Sequence, residues 1–215
     1  MRTRTAAVIG SNTATGHELI KELCSRSIYG EVIVLSDRKT NLIHHKISER
    51  IIDFRYIEAS HFGLVDDVFC CVQPDRKNHW FDPLQTAAAA KKSNASQYLA
   101  VSSMGADPQS VLKLNRLYGV YEKQLKTLNL PSLHIFRPSI LLTDPGEFRV
   151  KESAAAKFIA FTGWAMMGPF KTYKGIRASQ LALAMTEKAL NGRSPEIVIY
   201  KSGEIENTKR RETET

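Results

Sequence analysis

The sequence predicts an α/β fold, a doubly wound and mainly parallel sheet with helices on both faces. Three observations carry this. Short β-branched or apolar runs alternate with helical patterns almost from end to end. One run, within residues 66–72, continues Val-Phe-Cys-Cys-Val without alternation, as a strand covered on both faces requires. No internal repeat or low-complexity linker interrupts the series.

Residues 6–10 read as the first strand, and Leu19, Ile20, Leu23 and Cys24 then recur at helical spacing, giving a helix that begins near Thr15. Residues 31–35 form the second strand and 50–53 a short third. The fourth, 66–72, ends before Pro74. Residues 82–92, with four successive alanines, form a helix able to approach the sheet closely, and 97–102 are the fifth strand. Val111, Leu114, Leu117, Tyr118, Val120, Tyr121, Leu125 and Leu128 trace a long helix. A sixth strand, 133–136, stops at Arg137-Pro138. Helices follow over 154–161 and 180–190, and a last strand over 197–200.

Residues 143–149 and 162–175 hold most of the C-terminal Gly and Pro. Loops after late strands close the substrate pocket of a doubly wound sheet, so 143–175 are expected to form a small substrate-side lobe. The organisation expected is one domain over residues 1–205 and a flexible tail over 206–215.

Composition excludes several classes. At 215 residues, 43% hydrophobic and 24% charged, the chain is neither disordered nor fibrous. No run approaches the ~20 apolar residues of a membrane helix. The apolar part of the N-terminal stretch is too short for a secretory signal, so the expected compartment is the cytoplasm. The net charge of +8 is spread along the chain and mixed with acids, which reads as a solvated surface rather than a nucleic-acid face. Cys24, Cys70 and Cys71 lack metal-ligand spacing and read as small buried residues; no metal site is expected. Histidines 17, 44, 45, 61, 79 and 134 read as surface residues.

Gly10-Ser11-Asn12-Thr13-Ala14-Thr15-Gly16 lies between the first strand and the first helix, the context in which a glycine turn binds phosphate. Such a turn needs a tight bend, a backbone that approaches the pyrophosphate, close helix–strand packing and free helix N–H groups. Gly10 and Gly16 supply the first and third. At the closest-approach position stands Thr13, whose β-branched side chain crowds a phosphate and resists a left-handed backbone. Asp37 ends the second strand about twenty positions beyond Gly16, where an acid takes the ribose hydroxyls, while Arg38 suits a 2′-phosphate. The pair leaves NAD and NADP both open. This is a Rossmann-type dinucleotide reading. Its contacts are Gly10, Asn12, Thr13, Ala14, Thr15 and Gly16 in the turn, Asp37 and Arg38, then Asp53, Val72 and Ser102 after the third, fourth and fifth strands.

Val101-Ser102-Ser103-Met104-Gly105-Ala106-Asp107, together with Ile135-Phe136-Arg137-Pro138-Ser139-Ile140-Leu141-Leu142, resembles the atypical short-chain dehydrogenase/reductases. The nearest branch looks like the small bacterial NAD(P)H-binding proteins related to the Tat-interacting oxidoreductase-like protein. Asp67-Val68-Phe69-Cys70-Cys71 and Glu122 match that branch, and the resemblance runs from about Ala6 to Tyr200. It implies an NAD(P)-binding Rossmann fold and carbonyl chemistry, with departures. The family's glycine turn places its second glycine on Thr13, and its Tyr-x-x-x-Lys pair falls on Leu114 and Tyr118. In these enzymes the tyrosine moves the substrate proton and a lysine one helical turn later lowers its pKa. Leu114 cannot transfer a proton, and Tyr118 carries no positive charge. Tyr118 is a candidate replacement acid, and Ser103 aligns best with the serine that polarises the substrate carbonyl, with Ser102 the alternative by one place. Arg137 reads as structural, pairing with an acid or with the long helix.

Three functions remain open from the sequence. The first is an NAD(P)-dependent oxidoreductase with a degenerate site, acting on a small-molecule carbonyl substrate. The second is a non-catalytic dinucleotide-sensing or protein-interaction module. The third is a basic scaffold that binds no nucleotide. Fold alone does not choose among them.

Overall fold

The computed structural model describes residues 3–72, 74, 81–139, 141–142, 175–191 and 196–211. Its strands are β1 (Arg4–Ile9), β2 (Tyr29–Ser36), β3 (Ile47–Ile51), β4 (Asp67–Cys70), β5 (Gln97–Val101), β6 (Leu133–Arg137), β7 (Leu141–Leu142), β8 (Ile176–Arg177) and β9 (Ile197–Lys201). The helices are α1 (Ala14–Cys24), α2 (Pro83–Lys92), α3 (Lys113–Thr127), α4 (Ala178–Leu190) and α5 (Ser202–Glu206). Seven strands form one sheet in the order β3-β2-β1-β4-β5-β6-β9, and β7 pairs with β8. Every described pairing is parallel. The chain winds outward from β1 to β3, then returns to lay β4 on the other side of β1. The switch point, where such sheets open a ligand crevice at the strands' carboxyl ends, therefore lies between β1 and β4.

Alternation along each strand divides the interior into two cores. Ala6 and Val8 of β1, with Val32 and Val34 of β2, face α1 and α4, meeting Leu19, Ile20, Leu23, Leu181 and Met185. Ala7 and Ile9, with Ile33, Leu35, Val68 and Tyr98, face α2 and α3, meeting Ala87, Ala90, Tyr121 and Leu125. Ala87, Ala89 and Ala90 of α2 are buried in this second core. Asp82 caps α2 by accepting from the Leu84 N–H at 2.8 Å, and Pro83 occupies its first turn.

The third strand differs from expectation. It occupies Ile47–Ile51 rather than 50–53, because Asp53 instead caps a 3-10 turn, Phe54–Tyr56, accepting from the Arg55 N–H at 3.0 Å. β3 is a sheet edge, and its residues Ile-Ser-Glu-Arg-Ile carry no continuous apolar face. The helix expected over 154–161 and nearly all of the lobe over 143–175 lie outside the described residues. The stretch read as a loose tail makes contacts up to residue 211: Gln180 Nε2 donates to the carbonyls of Ile205, Glu206 and Thr208, and Arg210 Nη2 to Ser25 Oγ at 2.7 Å.

Buried polar groups are tied together at two places away from the crevice. Arg26, 2% exposed, donates from Nε to Glu22 at 2.8 Å and from Nη2 to Glu187 at 2.5 Å, joining α1 to α4. His134, 2% exposed, overturns the surface reading made for the histidines. It lies inside β6 on the α4 face, and its ring nitrogens bond Ser132 Oγ at 3.0 Å and Tyr200 Oη at 2.9 Å. Burial, reinforced by the nearby Lys188 ammonium, pushes its pKa down to about 4. The three cysteines are free and buried.

Candidate functional site

The turn after β1 is built around two glycines. Gly10 has φ +93°, a conformation that side chains resist, and a Cβ there would press on Val72 Cγ2. At Gly16 a Cβ would stand on the Gly10 carbonyl oxygen, so this glycine lets α1 start directly against the strand end. Thr13 corrects one expectation. Its backbone is extended, φ −88° and ψ 153°, so no left-handed conformation is asked of it. Its side chain is the N-cap of α1. The Gly16 N–H donates to Thr13 Oγ1 at 3.0 Å, and that hydroxyl donates to the Gly10 carbonyl at 2.8 Å. The Thr13 N–H also bonds the Gly10 carbonyl, at 3.0 Å. The N–H groups of Ala14 and Thr15 take no partner among the described residues. An anion here meets two open amides and a hydroxyl that closes the third.

A narrow crevice at the carboxyl ends of β1, β2 and β4 gathers Gly10, Ser11, Asn12, Asp37 and Val72 with Leu35, Ser36 and Phe54. Gly10, Asn12, Asp37 and Val72 were expected here. Ser36 and Phe54 were not. Ser36 Oγ is buried and has no hydrogen-bond partner among the described residues, which leaves a donor at the crevice wall. Arg38 donates to Asp37 from Nε at 3.2 Å and from Nη2 at 2.7 Å, and these bonds hold the carboxyl below its ordinary pKa. Arg38 itself is exposed and does not line the crevice. Asp53 is also outside it, paired two-pronged with Arg55 on the surface.

At the ends of β5 and β6 a buried carboxylate organises the strand termini. Glu122 of α3, 2% exposed, accepts from Ser102 Oγ at 2.6 Å and, two-pronged, from Arg137 Nε at 2.8 Å and Nη2 at 2.6 Å. The structural reading of Arg137 thus has its partner on the long helix. Ser102, fully buried, spends its hydroxyl on Glu122, whereas Ser103 is half-buried with a long 3.4 Å contact to the Met104 carbonyl. Of the two serines, Ser103 keeps the more available hydroxyl. Tyr118 and Glu122 are one helical turn apart, and Tyr118 is only 3% exposed; Leu114, a turn earlier, is 55% exposed.

No family model matches the chain. Protein HTATIP2 of Rattus norvegicus is 27% identical over 172 residues, covering 74% of this chain and 71% of that protein. Protein FMP52-1, mitochondrial, of Scheffersomyces stipitis (strain ATCC 58785 / CBS 6054 / NBRC 10063 / NRRL Y-11545) is 26% identical over 219 residues, covering 93% and 96%. The chain is thus similar in sequence to these two proteins along most of its length. Solved structures agree on the fold. MoeE5 in complex with UDP-glucose and NAD superposes with a TM-score of 0.64 at 14% identity, over 92% of this chain and 75% of that one. ElxO with NADP bound superposes at 0.63 and 12% identity, over 95% and 99%. Among the described residues no helix is long and apolar enough to cross a membrane.

Proposed function

We propose that the chain binds a nicotinamide dinucleotide across the β1–β4 switch point, with its pyrophosphate on the open amides of Ala14 and Thr15. The observation that carries this reading is the crevice itself. It joins a positive-φ glycine turn, an ionised Asp37 and an unpartnered buried Ser36 hydroxyl at one strand end. The relatives and the NAD- and NADP-bound neighbours support it. Of the two cofactors we favour NAD(H): Asp37 lines the crevice and accepts ribose hydroxyls, while Arg38 is outside it and already paired. Gly10, Asn12, Thr13, Gly16 and Val72 shape the same wall, with Asp53 and Ser102 apart from it. Ser103 is the group for a substrate carbonyl. With Leu114 and Tyr118 in the Tyr-x-x-x-Lys positions, the site is that of a degenerate oxidoreductase, or of a sensor that reads the dinucleotide without turnover. The burial of Tyr118 favours the sensor. The cytoplasm is the compartment proposed, with the mitochondrial designation of the fungal relative as its competitor.

Thermal unfolding with each of NAD, NADH, NADP and NADPH tests this. A ligand at 100 times its Kd stabilises by about 2.7 kcal/mol, and the shift is expected to be larger for NAD(H) than for NADP(H). Absence of a shift with all four overturns the proposal. A shift without turnover on any carbonyl substrate selects the sensor.

Thr13→Gly is expected to tighten dinucleotide binding, because it releases the Gly16 amide to the pyrophosphate at a capping cost of only a few tenths of a kcal/mol. The gain is on the order of 1 kcal/mol by titration calorimetry. Equal affinity would mean that the pyrophosphate does not use this amide.

A further inference from the structure

A second recess lies across the sheet from the dinucleotide crevice, at the carboxyl ends of β5, β6 and β9. It is a cavity of about 870 Å³, within the size range of small-molecule sites. We propose that it binds a small anion, a carboxylate or a phosphate monoester, through Arg137, Lys188 and Lys201. The site goes beyond dinucleotide binding and does not depend on it.

Charge and register carry the assignment. Arg137 and Lys201 are direct partners in the β6–β9 ladder, so two cations stand side by side at the strand ends. Like charges in that position are unfavourable unless something neutralises them. Glu122 does so for Arg137 alone, using Nε and Nη2. Nη1 of Arg137 takes no acceptor among the described residues and belongs to a side chain on the cavity wall. Lys201 and Lys188 also line the cavity, and neither is within ion-pair distance of a carboxylate among the described residues. Lys188 instead rests over the Tyr200 ring, 5.0 Å from its centroid. Glu204 is the single acid on the described lining, and one of its oxygens accepts the Lys201 backbone N–H at 2.8 Å. Three cationic groups against two carboxylates, Glu122 committed to Arg137 and Glu204 partly committed to a backbone amide, leave a net positive wall that suits an oxyanion. Met104 and Gly105 on the same wall place that anion beside Ser103.

The test uses the full chain and three probes: pyruvate, inorganic phosphate and the neutral ester methyl pyruvate, each titrated calorimetrically with and without NADH. At least one anion is expected to bind saturably and more weakly as salt is raised, and the ester not at all. In the Lys188→Gln/Lys201→Gln double variant the anion's affinity is expected to fall about tenfold or more. Binding of pyruvate alone assigns a carboxylate, of phosphate alone a phosphate ester, and of both a general oxyanion site. No saturable anion binding, equal binding of the ester, or unchanged affinity in the double variant overturns the proposal. The thermal shift with NADH, measured on the same double variant, reports the dinucleotide crevice separately, so failure of one site is not mistaken for failure of the other.

Discussion

Arg26→Leu is expected to destabilise the fold by about 3–5 kcal/mol at neutral pH, read from urea or thermal unfolding. The guanidinium is 2% exposed and holds two carboxylates, Glu22 and Glu187. Its removal leaves Glu187, also 2% exposed, as a buried charge whose remaining bond is the 3.3 Å contact with the Arg211 N–H. Glu22, on the surface of α1, can turn to water and contributes less. Arg26→Lys is expected to recover only part of the loss, since one ammonium does not reproduce a planar fork reaching two acids. The double variant Arg26→Leu/Glu187→Leu is expected to regain most of it, because no uncompensated charge remains. A single-variant cost below about 1 kcal/mol would show that α1 and α4 are not joined through this charge cluster.

Acidification is expected to remove about 3 kcal/mol of stability through His134 alone as the pH falls from 6.5 towards 4. In the folded chain burial holds the imidazole pKa down at about 4, whereas the unfolded chain has the ordinary value near 6.5. Between those values the unfolded state binds a proton that the folded state refuses. The contribution is therefore complete above pH 6.5 and is lost as the pH falls through that window. Asp37, Asp53 and Glu49, lowered by their partners, lose stability in the same direction, and buried Asp67, raised by burial, works against them. Subtracting the stability–pH curve of His134→Gln isolates the histidine. Gln keeps a donor and an acceptor for Ser132 and Tyr200 but does not titrate in this range. Parallel curves for the two proteins would refute the assignment.

The sheet is legible in the sequence wherever burial on both faces leaves an unbroken apolar run, as in β4, or where an N-cap and alanines mark a helix, as at Asp82 and Ala87 to Ala90. It is least legible at the edge. β3 has one covered neighbour and an Ile-Ser-Glu-Arg-Ile sequence, so neither continuity nor alternation marks its ends. The glycine turn is legible by position, but the capping role of Thr13 depends on a backbone conformation that its residue type does not specify. Asp37 is found from its distance to Gly16, and Ser36 stands beside it as the last residue of β2; Phe54 is brought to the same wall by the return of the chain after β3, which leaves no local pattern. His134 is missed for a similar reason. Ser132 is two residues away on the same face, a spacing many strands share, and Tyr200 is supplied from β9.

The threonine cap also bears on how the turn is held together. By accepting from the Gly16 amide with its hydroxyl and donating that hydroxyl to the Gly10 carbonyl, Thr13 finishes much of the turn from within the chain. The start of the first helix is thus capped by a side chain of the turn itself. An anion at this turn is therefore left the Ala14 and Thr15 amides, and the third amide stays with the chain's own hydroxyl.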